Sequence, residues 1–131
     1  MRTNPIRADQ FWNDTGVDLV EGAAYRFSVA PGVGEPLMDA SYPARSIEGE
    51  DWESLPHRTA ALLHGKRMND AKWFALIGTV DRKHPWVIQD GGVVTAPASG
   101  RLVCYFNDVQ MDVFYKNNKG WVALEIELLA K

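Results

Sequence analysis

Residues 104–121 read CYFNDVQMDVFYKNNKGW. The stretch opens as an apolar strand that stops at ND (107–108), and a second apolar segment at FY (114–115) stops at NNKG (117–120). Asn, Asp and Gly favour turns, and Asn and Gly tolerate the positive φ that hairpin turns require. The same side chains carry the carboxylate and amide oxygens that bind hard cations. The stretch therefore predicts two strand ends that serve as turns, as ligands, or as both.

Strand patterns extend on both sides of this stretch. Alternating or doubly apolar segments lie at 15–20, 25–29, 73–80, 102–106 and 122–128. The sequence DGG at 90–92, between apolar triplets at 86–88 and 93–95, predicts a further hairpin. Short strands separated by turn residues are typical of all-β domains. We therefore predict a jelly-roll-like antiparallel β-sandwich that forms a single domain over residues 1–131.

The segment 31–57 departs from this pattern. It holds four prolines and a series of acidic residues, and its composition predicts a long loop, which in a compact domain is often functional. Trp52 lies within it, and an aromatic residue in a polar loop is a better binding candidate than one in a strand. Residues 59–64 fit a short helical turn or a strand equally well.

Composition excludes several classes of protein. The chain has 131 residues with a formal net charge of -3, and its Lys and Arg residues are scattered, so no electrostatic footprint for nucleic acid is present. No apolar stretch approaches the length of a membrane span. The single cysteine, Cys104, cannot form an intrachain disulfide and is expected to be a buried strand thiol.

The sequence contains no known catalytic pattern. A nucleophile elbow, a phosphate-binding loop and a zinc-protease helix are all absent, and we predict that the protein is not an enzyme. The first residues, MRTNPIRADQFW, lack the apolar region of a signal peptide. We therefore expect a cytoplasmic location by default, with export that uses no such signal left open.

The motifs in their order resemble one known family. The runs WVIQDGGVVTAPASGRLVCYFNDV (86–109) and NNKGWVALEI (117–126) resemble the PA-I-type galactophilic lectins of bacteria, which are galactose-binding-like β-sandwiches. The opening WNDTGVDLVEGAAYRFSVAPG (12–32) and KWFALIG (72–78) also look like that family's strands. The resemblance covers most of the chain except 33–57, and it implies a carbohydrate-binding protein with the predicted fold.

The resemblance also implies a site. In such lectins an Asp and two consecutive Asn bind a calcium ion that galactose hydroxyls complete, and these positions fall on Asp108, Asn117 and Asn118. Calcium accepts six to eight such oxygen ligands. A backbone carbonyl ligand is expected from the intervening segment, where Met111 or Asp112 is the candidate, and Asp112 could also add its carboxylate.

Contacts to the sugar are predicted less fully. The family's His-Pro-x-Gln contact corresponds only to PHRTA (56–60), so His57 is the candidate and the Gln is missing. An aromatic wall could come from Tyr42, Trp52 or Tyr115.

An alternative function remains open. The spacing from Asp108 to Asn117 is nine, two longer than the lectin pattern, and this departure favours a non-enzymatic structural or assembly module that has the same fold and binds no sugar. The free edges of a sandwich leave homo-oligomer formation open in either case.

Overall fold

A computed structural model describes all 131 residues. Its strands are β1 (Ile6–Arg7), β2 (Asn13–Leu19), β3 (Ala24–Val29), β4 (Glu35–Asp39), β5 (Tyr42–Ala44), β6 (Leu76–Val80), β7 (Lys83–Val87), β8 (Gly92–Thr95), β9 (Gly100–Phe106), β10 (Asn118–Val122) and β11 (Leu124–Ala130). One α-helix, α1 (Leu55–His64), and one 3₁₀ helix (Asp112–Asn117) interrupt them. Neither helix has the length and apolar character needed to cross a membrane.

The strands form three antiparallel sheets, which confirms the predicted all-β sandwich. The first sheet has the order β2-β9-β6-β7, the second β1-β10-β4-β5 and the third β11-β3-β8. The non-consecutive neighbours, such as β4 beside β10 and β3 beside β11, bring residues far apart in sequence to the same sheet. This topology places the end of β9, the start of β10 and the end of β4 close together.

The core lies between the sheets. Residues of β2 alternate strictly between buried and exposed, as a strand with one face on a core requires, whereas all five residues of β6 are buried because this strand is covered on both faces. The largest fully buried side chains are Tyr115, Phe27, Phe74, Phe106, Ile6, Leu76, Ile77, Ile88, Leu102, Leu124, Ile126 and Val80. Cys104 is buried among them, as expected.

The segment 31–57 is more regular than predicted. It contains β4, β5 and the start of α1, which begins behind Ser54 as an N-cap with Pro56 in its first turn. Pro36 lies near the start of β4, Pro43 lies in the edge strand β5 and Pro56 lies in the first turn of α1, all positions where a missing N–H is tolerated. Residues 59–64, which the sequence left undecided, belong to α1.

The hairpin predicted at DGG (90–92) is wrong. The strands that flank DGG (90–92) lie in different sheets, because β7 pairs with β6 and β8 pairs with β3. The sequence NNKG (117–120) does not turn either: Asn117 ends the 3₁₀ helix, and Asn118 begins β10. The predicted last strand is divided at Ala123 between β10 and β11, which belong to different sheets. β8 and β10 pair instead with strands from distant parts of the chain, β3 and β4, and this pairing overrides the local turn preference.

Candidate functional site

A cavity of about 270 Å³ lies where β4, α1, the end of β9 and the 3₁₀ helix meet. Its lining combines two carboxylates, an amide, a histidine and an apolar wall, namely Asp39, Ala40, Tyr42, Pro56, His57, Ala60, Trp73, Asp108, Val109, Phe114 and Asn117. A concave apolar pocket with a few convergent polar groups is typical of a ligand-binding site. Three of the residues predicted from the sequence, His57, Asp108 and Asn117, line it together.

Asp108 is a buried carboxylate, with only 4% of its surface exposed. Its Oδ1 accepts a hydrogen bond from the N–H of Val109 at 2.7 Å, and its Oδ2 accepts one from Nδ2 of Asn118 at 3.0 Å. The pKa of Asp108 is raised to about 6, chiefly by burial and in smaller part by the nearby Asp39, against the opposing hydrogen bonds from Asn118 and Val109. The folded chain therefore holds a carboxyl group in a place that disfavours its negative charge unless a cation is present.

Asn118 carries the clearest sign of a missing partner. Its Nδ2 donates to the carbonyl of Ala8 at 3.1 Å and to Asp108, but its buried Oδ1 has no hydrogen-bond partner. A buried acceptor without a partner costs roughly 1–3 kcal/mol and calls for an explanation such as an ion. The orphaned oxygen belongs to an amide that is already bonded to the Asp108 carboxylate.

A hydrogen-bonded chain links the cavity to the start of α1. Asp39 Oδ2 lies 2.9 Å from Nε2 of His57, whose Nδ1 lies 2.6 Å from Oγ of Ser54. Ser54 also accepts the backbone N–H of His57 as the N-cap of α1. The hydrogen bonds among Asp39, His57 and Ser54 orient the imidazole and the Asp39 carboxylate. Because Ser54 does not line the cavity, they do not present its hydroxyl to a ligand there.

Asn107, the partner of Asp108 in the ND pair, has a structural role. Its side chain is fully buried, accepts the N–H of Met68 and donates to the carbonyls of Met68, Ala71 and Lys72. These four bonds fasten the segment 68–72 to the end of β9. The two residues of the pair thus have different roles, because Asn107 holds the segment 68–72 in place while Asp108 lines the cavity.

The other predicted residues lie around this cavity in different ways. Trp52 is half-buried behind His57, with ring centroids 4.7 Å apart, and it packs on the core rather than lining the cavity. Asp112 is exposed at the start of the 3₁₀ helix and is not part of the lining. Of the three candidate aromatic walls, only Tyr42 lines the cavity, because Tyr115 is fully buried beneath it.

Asp39 is the functional candidate that sequence reasoning missed. It stands among several acidic residues of the segment 31–57, and nothing in the sequence distinguishes it from them. The pairing of Asp39 with Asn118 across β4 and β10 brings it to the site. Recognising β4 as a strand, with Leu37 and Asp39 on one face, would have been the only local signal.

The oxygen atoms at this site suit a hard cation better than a transition metal. No three side chains of the His, Cys, Asp and Glu types come together anywhere in the chain in a metal-binding arrangement. The side-chain donors here are the carboxylates of Asp39 and Asp108 and the amide of Asn117, which line the cavity, and the amide of Asn118, which lies outside the lining and is bonded to Asp108. Such all-oxygen sets are typical of calcium and not of zinc or copper.

Comparisons with known proteins agree with the fold. A solved structure described as "EclA N-terminal domain; PllA-like lectin" superimposes with a TM-score of 0.66 and 15% sequence identity, over 98% of this chain and 97% of that one. No family model matches the sequence, and no curated protein matches it. At this identity the likeness shows the fold alone, and the chain accordingly has a lectin-like β-sandwich fold.

Proposed function

We propose that this protein is a carbohydrate-binding domain that uses a calcium ion to hold its sugar, with galactose-type sugars as the expected ligands. Asp108 and Asn118 would hold the ion from the protein side, with Asn117 and Asp39 as further oxygen donors. The ion would supply positive charge that neutralises the carboxylates and free coordination positions for two sugar hydroxyls. Galactose is the expected sugar because of the resemblance to galactophilic lectins.

The observation that carries this proposal is the unpartnered Oδ1 of Asn118 beside the buried Asp108. Two separate costs coincide at this place, an unsatisfied amide oxygen and a desolvated carboxylate whose pKa is raised. A cation bound between them would relieve both costs at once. Apolar side chains at positions 108 and 118 would carry neither cost. The presence of an Asp and an Asn there therefore supports a binding role for this site.

The apolar wall of the cavity supports the sugar half of the proposal. Tyr42, Trp73 and Phe114 line it, and the carbon-bound hydrogens of a sugar ring pack on such surfaces. The Tyr42 ring packs against His57 in a T-shaped arrangement, with centroids 4.7 Å apart and an interplanar angle of 85°, and this contact restrains the ring before a ligand binds. Such preorganisation reduces the entropy lost on binding.

Thermal unfolding of chelator-treated protein tests this proposal directly. Calcium at 100 times its dissociation constant is expected to add about 2.7 kcal/mol to the free energy of unfolding, which raises the midpoint by several degrees for a domain of this size. Methyl galactoside is expected to raise it further only when calcium is present. Magnesium serves as the control, because this smaller ion requires stricter octahedral geometry and loses its waters reluctantly.

Two outcomes would count against the proposal. If calcium at millimolar concentration leaves the midpoint unchanged, the Asn and Asp side chains are structural. If galactoside stabilises the chelated protein as much as the calcium-loaded one, the sugar binds without the ion.

The assembly module is a second candidate function, and one surface feature supports it. Three leucines of α1 are largely exposed: Leu55 at 77%, Leu62 at 85% and Leu63 at 68%. Contiguous exposed apolar side chains are often interaction sites in soluble proteins. Their position on one short helix suggests contact with another protein surface.

Sedimentation at several protein concentrations tests this second candidate. If α1 mediates self-association, the protein is expected to sediment as an oligomer, and the Leu62→Glu, Leu63→Glu variant as a monomer of unchanged fold. Val93→Glu, at a similarly exposed position on β8, is the matched control and should leave the oligomer intact. A monomer at all concentrations would refute self-association through this helix.

A further inference from the structure

A second cavity, of about 520 Å³, lies away from Asp108 at the other end of the same pair of strands. Asp39 pairs with Asn118 at the first site, whereas Glu35 pairs with Trp121 at the second. Asp39 lies four positions after Glu35 in β4, which corresponds to about 13 Å along the strand. The size of the second cavity falls within the usual range for small-molecule sites.

The second cavity has an apolar floor and a polar rim. The floor is made by Leu37, Ile47 and Val122, and the rim includes Glu35 and Asp90. Trp121 also lines the cavity and remains half-buried. A flat apolar surface beside hydrogen-bonding groups suits a ligand that has one apolar face and a polar edge.

The tryptophan is held in place before any ligand binds. Its indole Nε1–H donates to Oε1 of Glu35 at 2.9 Å, which fixes the ring orientation. Gly34, at φ +113°, lets its loop pass close to this strand, because a Cβ there would lie 2.5 Å from the carbonyl oxygen of Trp121. Both the ring and the loop that faces it are therefore preorganised.

The carboxylates of the rim are also fixed, and each has an oxygen to spare. Asp90 Oδ1 accepts the N–H of Val29 at 2.9 Å, and the backbone N–H of Asp90 donates to Glu48 Oε1 at 3.3 Å. No protein group bonds Oδ2 of Asp90 or Oε2 of Glu35 in this structure. The one cation of the rim, Arg45, is paired with Glu50. Two acceptors are thus available to a ligand.

From this geometry we infer a second saccharide-binding site, at which Trp121 contacts the face of an uncharged pyranose and the carboxylates of Glu35 and Asp90 accept its hydroxyl hydrogens. The ring hydrogens of a pyranose supply the apolar face and its hydroxyls supply the donors. The rim disfavours acidic sugars, since their carboxylates would approach two like charges. The site needs no metal ion and is independent of the function proposed for the Asp108 cavity.

Nuclear magnetic resonance of the ¹⁵N-labelled protein in the presence of a chelator tests this inference. The indole N–H signal of Trp121, assigned by its disappearance in Trp121→Phe, should shift and saturate on titration with methyl β-glucoside or methyl β-galactoside, with a dissociation constant in the millimolar range. Methyl β-glucuronide, which adds one carboxylate to the same ring, should bind about fivefold more weakly. The chelator prevents any calcium-dependent binding at Asp108 from contributing.

Two variants separate the roles of the ring and the charge. Trp121→Leu should lose binding, as read from the backbone amide signals of Val29 and Gly34, whereas Trp12→Leu, a half-buried tryptophan outside this cavity, should retain it. Asp90→Asn keeps an acceptor for the N–H of Val29 but removes the charge. It should therefore bind the glucoside as before and discriminate less against the glucuronide.

The inference is overturned if neither uncharged glycoside shifts the Trp121 signal at about 50 mM, well above a millimolar dissociation constant. It is also overturned if the shifts cluster at Asp108 and Asn117 while Trp121 is unaffected. Equal binding of glucuronide and glucoside would refute the assigned role of the two carboxylates.

Discussion

The Asp108→Asn variant is expected to lose its stabilisation by calcium and, without calcium, to lose the fall in stability that the wild type shows as the pH rises through about 6. The amide keeps an oxygen that can accept the N–H of Val109, but its nitrogen cannot accept the Nδ2–H of Asn118 as Oδ2 of Asp108 does. It also removes a carboxyl group whose pKa burial raises to about 6, and with it the buried negative charge. Thermal unfolding of both proteins, with and without calcium, measures the two effects together.

The sign of the calcium-free effect follows from proton linkage. Because the pKa of Asp108 is raised from its ordinary value of 3.8 to about 6, the folded state binds the proton more tightly than the unfolded state. The stability from this group is fully present below about pH 3.8 and is lost as the pH rises through about 6. The loss at pH 7 is roughly 3 kcal/mol at most, and the variant should not show it.

The matched control for this variant is Asp51→Asn, which changes the same chemical group where the side chain is 77% exposed. It should keep both the calcium response and the pH dependence of the wild type. Asp112→Asn, measured alongside, tests the prediction that Asp112 contributes a carboxylate to the ion. A calcium response that survives in Asp108→Asn would refute the assignment of Asp108 as a ligand.

The second large effect is expected from Asn107→Ala, which should destabilise the fold by about 2–3 kcal/mol. The asparagine satisfies the N–H of Met68 and three carbonyls of the segment 68–72. Alanine would leave the N–H of Met68 without a partner, whereas the three carbonyls would keep their bonds from the N–H groups of Ala71 and Ala75 and from Nζ of Lys66. Such an unpartnered group costs roughly 1–3 kcal/mol, reduced where water can enter. Denaturant unfolding measures the loss.

Two further variants separate hydrogen bonding from other causes. Asn107→Asp keeps the shape and the acceptor but loses the donors and buries a charge, so it should be destabilised at least as much as Asn107→Ala at pH 7. Asn117→Ala, at an exposed position of the same residue type, should change the free energy of unfolding by less than about 0.5 kcal/mol. A near-neutral Asn107→Ala would show that these bonds contribute little net stability.

The sequence predicted the strands of the sandwich better than its connections. Alternation in β2 and β3 and the doubly apolar pattern of β6 and β9 follow from which faces must be buried, and these patterns are local. Strand partners are not local. The DGG sequence at 90–92 has hairpin chemistry, but it connects two sheets because β8 pairs with β3.

The sequence by itself determined the oxygen chemistry of Asp108, Asn117 and Asn118, because a chain must carry its polar groups wherever it folds. Only the tertiary structure decided which of these groups meet. It brought Asp39 and His57 to the same cavity from the segment 31–57, which the sequence predicts to be a loop. The tertiary structure also gives the two residues of the ND pair different roles, because Asn107 bonds to the segment 68–72 while Asp108 lines the cavity. The physical reason is that β4 and β10 pair across about 80 residues, so their shared surface is set by long-range packing that no short pattern records.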